Sequence, residues 1–260
     1  MCNKADFPFR IYYILLIPFK QGTHWNPYRF YNHMNTLYLH YEEKIAMVHD
    51  RISRACGRCG RHPDEVTLIA VTKTQPVEVL QALIDCGVQN LGENRVSEVL
   101  EKVPALTGTF IMHLIGALQT NKVAKVLPYI QMIQSVDRSR LIDYLERYLP
   151  DGSVLPVLIE VNTSEESTKS GCRSSDARML VERCLAGKKL RPEGFMTIGP
   201  LGGDESAVRN SFSQLRSIAD AHRDCIPSPC LSMGMSGDFE WAIEEGSTMV
   251  RIGTLLTGER

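Results

Sequence analysis

The sequence predicts an α/β protein, a single (β/α)8 TIM barrel, and three observations predict it. Eight short apolar runs alternate with amphipathic helical stretches. The length, 260 residues, suits one such barrel, and 43% apolar composition suffices to bury its core. No Pro-, Gly- or Ser-rich linker, internal repeat or low-complexity tract divides the chain. Strands separated by helices must pair in parallel, because parallel neighbours need crossover connections.

The first regular element expected is a helix after Met34. Leu37, Tyr41, Ile45, Val48, Ile52 and Ala55 recur at steps of four or three, which puts them on one face. Strands are then expected at Val66–Val71, Val88–Leu91, Phe110–Ile115, Gln131–Gln134, Val154–Val161, Glu193–Thr197, Pro229–Met233 and Thr248–Ile252. Helices are expected at Pro76–Cys86, Asn94–Val103, Asn121–Leu127, Ser139–Tyr148, Ser174–Ala186, Glu205–His222 and Asp238–Glu245. Residues 1–33, rich in Tyr, Phe, Asn and Pro, show no sustained period. They read as an extension or an early start codon, and residues 34–260 as the barrel.

Charge and composition exclude several classes. With 29 basic and 30 acidic residues the net charge is -1, and no long basic run suggests a nucleic-acid surface. The apolar run Ile11–Phe19 is shorter than the roughly 20 residues that span a bilayer. Pro18, Lys20 and Gln21 follow with no A-x-A-like cleavage site, so a cytoplasmic protein without a membrane segment is expected. The eight cysteines are scattered through a core-rich chain, which favours reduced thiols over a disulfide framework. Cys56-Gly57-Arg58-Cys59, near His62, resembles half a zinc site or a redox pair. A zinc site would need Cys225 and Cys230 from far along the chain, and a redox motif should open a helix rather than close one. A helix end and no metal are expected.

Barrel chemistry sits at the C-terminal ends of the strands. The first strand ends in Thr72-Lys73, where partial desolvation can make a lysine amine nucleophilic. On position alone, a solvated loop lysine is the commoner case. Asn94 and Asn121 follow strands two and three, and both read equally as helix N-caps. His113, inside an apolar strand, reads as a barrel-lining histidine before a catalytic base. Ser232-Met233-Gly234-Met235-Ser236-Gly237 follows strand seven, and Arg251-Ile252-Gly253-Thr254 follows strand eight. Phosphate sites in barrels favour these two units, although tight turns use the same residues.

Ala70-Val71-Thr72-Lys73, Gly92-Glu93-Asn94, His113-Leu114-Ile115-Gly116, Leu118-Gln119-Thr120-Asn121-Lys122, Gly194-Phe195-Met196-Thr197-Ile198, Leu231 to Ser236 and Gly246 to Thr254 occur in one order. In this combination, from about Met34 onward, the chain resembles the pyridoxal phosphate homeostasis protein family. The resemblance implies a barrel like the N-terminal domain of alanine racemase, of fold type III among pyridoxal phosphate proteins. It implies pyridoxal 5'-phosphate as cofactor, joined to Lys73 by a Schiff base. Asn94 would line the ring face. Ser236, Gly253 and Thr254 would hold the phosphate, with Ser232 and Met233 near it. Arg251 would face the pyridine nitrogen as a donor, leaving the ring a weak electron sink; a salt bridge at the mouth is the other reading of Arg251. The resemblance implies a non-catalytic carrier or buffer of the cofactor in intracellular pyridoxal phosphate homeostasis, with pyridoxal phosphate-dependent apo-enzymes as recipients. The alternative is an amino-acid racemase or a related pyridoxal phosphate enzyme acting on amino acids; a racemase of the alanine racemase kind needs a tyrosine from a second, C-terminal β domain of a partner subunit. The chain ends with its eighth strand, so that base and that dimer contact are not expected, and a monomer is. Three positions depart from the family's pattern: Ala117 for a larger polar residue, Arg95 for Tyr, and Thr257 for an aromatic before Gly258.

Overall fold

The computed structural model describes residues 27–258 except 165, 167 and 168. The expectations for Cys2 and for the run Ile11–Phe19 lie outside the described residues. After helix α1 (Pro27–Arg58) the strands are β1 (Thr67–Val71), β2 (Asn90–Glu93), β3 (Ile111–Leu114), β4 (Met132–Val136), β5 (Leu155–Glu160), β6 (Leu190–Met196), β7 (Cys230–Met235) and β8 (Met249–Ile252). Between them run α2 (Val77–Asp85), α3 (Val96–Lys102), α4 (Val123–Val126), α5 (Ser139–Tyr148), α6 (Ala177–Ala186), α7 (Glu205–Asp220) and α8 (Phe239–Glu244). Every neighbouring pair is parallel, and β8 closes on β1 through Thr67↔Met249 to Ala70↔Ile252. The barrel is therefore the expected one, with boundaries moved by a few residues.

Three differences have physical causes. Helix α1 starts at Pro27, seven residues before the expected boundary; proline suits a first turn, where its missing N–H has no helical partner. Strand β6 starts at Leu190 and takes in Pro192, beside a register shift between Val157 and Leu158. An irregular ladder is where a strand tolerates a residue without an N–H. A last short helix, α9 (Thr254–Thr257), follows β8 where only a loop was expected.

The period of two along each strand sorts the side chains. Leu114, Ile133, Phe195 and Val250 point outward into the large core between strands and helices. Burying each such side chain contributes about 1.5–3 kcal/mol. Met132, Leu158 and Met196 form a separate buried cluster, the packed interior of the barrel. Continuing that inward set to the strand ends reaches Lys73, Asn94, Glu160, Ile198 and Gly253, which therefore share the barrel mouth.

Helix α1 packs on α2 and α8. Arg51 and Arg58 both bind Glu240, and Arg58 also binds Glu244, so α8 is tied to α1 by ion pairs. The Cys56/Cys59 pair closes α1: Cys56 is buried, and the Cys59 thiol donates to the Ala55 and Cys56 carbonyls. Among the described residues, no group of three or more metal-ligating side chains assembles, and no helix is long and apolar enough to cross a membrane.

Candidate functional site

The segment that carries Lys73 is held on both sides. Thr72 is fully buried; its N–H donates to the Gly92 carbonyl at 3.0 Å and its hydroxyl to Glu93 Oε1 at 2.8 Å. Lys102, on α3, donates to the Thr72 carbonyl (3.0 Å), Glu93 Oε1 (2.9 Å) and Glu98 Oε2 (2.6 Å). Glu98 Oε2 also accepts the Thr74 N–H at 2.6 Å. Thr74 has φ 66, a left-handed conformation that costs a β-branched residue about 1–3 kcal/mol. The Glu98 bond holds it there. Lys73, half-buried between these two anchored threonines, is presented to the barrel axis.

The carboxylates of this cluster feel opposite balances. Burial pushes Glu93 up, partly offset by bonds from Lys102 and Thr72. Burial acts the same way on Glu98, but bonds from Lys102 and the Thr74 amide outweigh it and hold Glu98 below its ordinary value.

The ends of β7 and β8 meet at Ser236. Its hydroxyl oxygen accepts the N–H groups of Gly253 (3.2 Å) and Leu255 (3.4 Å), which leaves the hydroxyl hydrogen to donate elsewhere. Asp238 Oδ1 accepts the Met235 N–H at 2.6 Å and fixes the turn that carries Ser236. Gly234 is required by this turn: its φ is 93, and a Cβ would lie 2.6 Å from Ala242 and 2.9 Å from the Phe239 backbone. Gly116 is required at the end of β3, where a Cβ would lie 2.3 Å from the Asn94 carbonyl.

Arg251 is the buried cation of the mouth, 4% exposed. Its guanidinium donates to the Ser232 hydroxyl (2.6 Å) and the Thr197 carbonyl (2.8 Å), so its direct partners are not carboxylates. Burial pushes its pKa down to about 10, against Asp238 and Glu160, and it stays charged at neutral pH. Ser232 passes the bond on to Gln134 Oε1 at 2.7 Å, and Gln134 Nε2 lies 3.1 Å from His113 Nδ1. His113 Nε2 in turn lies 3.0 Å from Asn90 Oδ1. With the amide donating to Nδ1, His113 carries its hydrogen on Nε2 and donates to Asn90. Burial pushes the His113 pKa down to about 4, so the ring is neutral. His113 is a barrel-lining histidine in a polar chain, below the mouth rather than in it.

A cavity of about 610 Å³ opens over these groups, within the range of roughly 300–1,000 Å³ usual for small-molecule sites. Lys73, Asn94, Ser236, Arg251, Gly253 and Thr254 all line it. Ser232 and Met233, expected near a phosphate, do not. Ser232 points inward one layer below the mouth, where Gln134 and Arg251 occupy it, and Met233 has the opposite parity and packs in the outer core. Asn94 is not a helix cap, since α3 starts at Val96 with Arg95 in the cap position, and Asn121 lies inside a 3-10 turn. Thr257 lines the cavity, Ala117 lines an adjoining one, and Arg95 is exposed. The lysine-loop clamp of Glu93, Glu98 and Lys102 was not expected. Its one sequence signal is the Glu98/Lys102 spacing of four, which also fits a solvated helix face. Glu160, a buried carboxyl at the end of β5, was missed as well; a charge closing an apolar strand is the sign that could have found it.

Comparison with known proteins gives the family of the chain. The sequence model of the alanine racemase N-terminal domain matches residues 48–260. The pyridoxal phosphate homeostasis protein of Aquifex aeolicus (strain VF5) is 43% identical over 222 residues, 84% of this chain and 97% of that protein. PipY of Synechococcus elongatus PCC7942, in a structure with PLP bound, superposes with TM-score 0.71 at 30% identity, over 80% of this chain and all of PipY. Alanine racemase from Corynebacterium glutamicum, 13% identical with TM-score 0.66, shares the fold over 87% of this chain and 62% of its own.

Proposed function

Because the chain belongs to the pyridoxal phosphate homeostasis protein family, we propose that it binds pyridoxal 5'-phosphate reversibly at Lys73 and holds it for delivery. One observation carries the reading. A single cavity brings a lysine amine beside a cradle of hydroxyls and amides, over a buried arginine that can only donate. The residues fit the cofactor. A phosphate needs donors, and the Ser236 and Thr254 hydroxyls supply them, the first held in place by the Gly253 N–H that donates to its oxygen. Space remains above Gly237, where a Cβ would meet nothing within 4 Å. Asn94 lines the same cavity, which supports a contact with a ring face.

When bound, pyridoxal phosphate supplies an aldehyde carbon that bonds reversibly to amines and, if its ring nitrogen is protonated, an electron sink. Arg251 works against the second role. A carboxylate would keep a ring nitrogen protonated, but a guanidinium has no acceptor and donates to a neutral one. Among the described residues that line this cavity with Lys73 there is no Tyr, His, Asp or Glu; the buried carboxyl of Glu160 lines the adjoining cavity instead. The site thus supports retention and exchange over racemisation. The reading includes a cytoplasmic monomer whose recipients are apo-enzymes that use the same cofactor.

Two measurements test it. Cofactor-loaded protein given L- and D-amino acids should show racemisation, α-proton exchange and keto-acid formation far below about 1 s⁻¹, the lower end of ordinary enzyme rates. It should also restore activity to a pyridoxal phosphate-dependent apo-enzyme. Turnover at enzymatic rates would contradict the carrier role. Ser236→Ala and Thr254→Ala should each weaken cofactor binding roughly ten- to a hundredfold, the loss of one hydrogen bond to a charged acceptor. Unchanged affinity in both variants, with melting temperatures intact, would move the phosphate elsewhere.

A further inference from the structure

A second cavity of about 220 Å³ adjoins the first, and the two share Asn94, Ile115 and Ile198 as walls. Glu160, the last residue of β5 and 4% exposed, lines it. The strand's alternation turns Glu160 inward, two residues above Leu158 of the barrel interior. Among the described residues, Glu160 makes no side-chain hydrogen bond and no close ion pair; the charges of Arg251 and Arg138 act on it from a distance, and Asp137 opposes them. A carboxylate buried in this way is costly unless a ligand brings a donor.

The cations nearby are already engaged. Arg251, from β8, is bound to Ser232 and Thr197. Arg138, in the loop after β4, is bound to Asp137 and the Leu118 carbonyl. Lys169, in the loop after β5, is bound to Glu166 and the Gly199 carbonyl. The other titratable groups facing Glu160 are Asp137 and the Cys172 thiol, neither of which brings it a cation.

We infer that this second cavity seats an incoming primary amine, whose ammonium group donates to Glu160 beside the cofactor held at Lys73. The inference rests on the cofactor reading above, because an amine is the chemical class that can replace Lys73 as the partner of an aldehyde. Burial, and then Asp137, push the Glu160 pKa up to about 7 against Arg251 and Arg138. A carboxylate with that pKa can take a proton from the ammonium. One N–H bond breaks, one O–H bond forms on Glu160, and the nitrogen keeps the freed electron pair as a neutral nucleophile. The ammonium form binds best above pH 7, where Glu160 is ionised.

The test uses the full chain with cofactor fixed on Lys73 by borohydride, so that no exchange can occur. n-Propylamine is titrated in and followed by NMR shifts at pH 8 and pH 5.5. Saturable binding is expected at pH 8, about tenfold weaker at pH 5.5 and about tenfold weaker in Glu160→Gln, the loss of one charged hydrogen bond. n-Propanol should not compete. Ala117→Trp, a change at an exposed wall residue of this cavity, should also abolish binding, and it gives the result if the Glu160 variant does not fold. Equal affinity in wild type and either folded variant, or affinity independent of pH, overturns the inference. Absence of a borohydride adduct before amine is added would instead count against the cofactor reading. The same titration on cofactor-free protein then still decides whether Glu160 binds the amine.

Discussion

Lys73→Ala should lose all covalent retention of pyridoxal 5'-phosphate while the barrel stays folded. Lys73 lies past the end of β1 and only half-buried, so its truncation leaves the strand ladder and both cores in place. What remains is the Ser236, Gly253 and Thr254 lining of the cavity, which on the proposed reading would hold a phosphate by hydrogen bonds alone. The variant should therefore emerge colourless from gel filtration and give no adduct with borohydride. Its melting temperature should match that of cofactor-free wild type. A chromophore that survives dialysis in this variant would show that another lysine carries the cofactor.

The largest loss of stability is expected for Lys102→Met. Lys102 is 5% exposed and neutralises Glu93, which is fully buried, while also bonding Glu98 and the Thr72 carbonyl. Methionine fills similar space but leaves a buried carboxylate without its counter-charge, a loss of about 3–5 kcal/mol. The pH dependence has a definite sign. The folded-state pKa of Glu93 is already raised, so its contribution is fullest at low pH and falls as pH rises through the raised value. Without Lys102 that pKa rises further. The difference between variant and wild type in urea unfolding should thus be widest near neutral pH and shrink toward the ordinary carboxylate range. Because Glu98 and Lys102 anchor both neighbours of Lys73, the variant should also load cofactor more slowly. A loss below about 1 kcal/mol, the level of a surface pair, would mean that the cluster is solvated.

The barrel was legible because its signal is repetitive. Each strand offers an apolar run and each helix an amphipathic period, and the eight units agree. Lys73, Asn94, Ser236, Gly253 and Thr254 line one cavity at the strand ends, but position alone reads Lys73 as a solvated lysine and Asn94 as a helix cap; their cofactor roles come from the family resemblance. Ser232 and Met233 show the limit of reading a motif without its parity: they lie close to Ser236 in sequence, yet one points below the mouth and the other away from it. Lys102 and Glu160 were hidden for a different reason. A Glu–Lys pair on a helix, or a carboxylate at a strand end, reads as solvated until the packing of α3 on β2 and the closure of the barrel bury it. The start of α1 at Pro27 was hidden because its first turns lack the apolar period of the segment from Leu37 to Ala55.

Peptide mass mapping of wild-type protein tests the central claim most directly. The protein is loaded with pyridoxal 5'-phosphate, reduced with borohydride, digested and sequenced. The account predicts one pyridoxyl-phosphate adduct, on Lys73. An adduct on Lys122 or another lysine, with Lys73 unmodified, would contradict it.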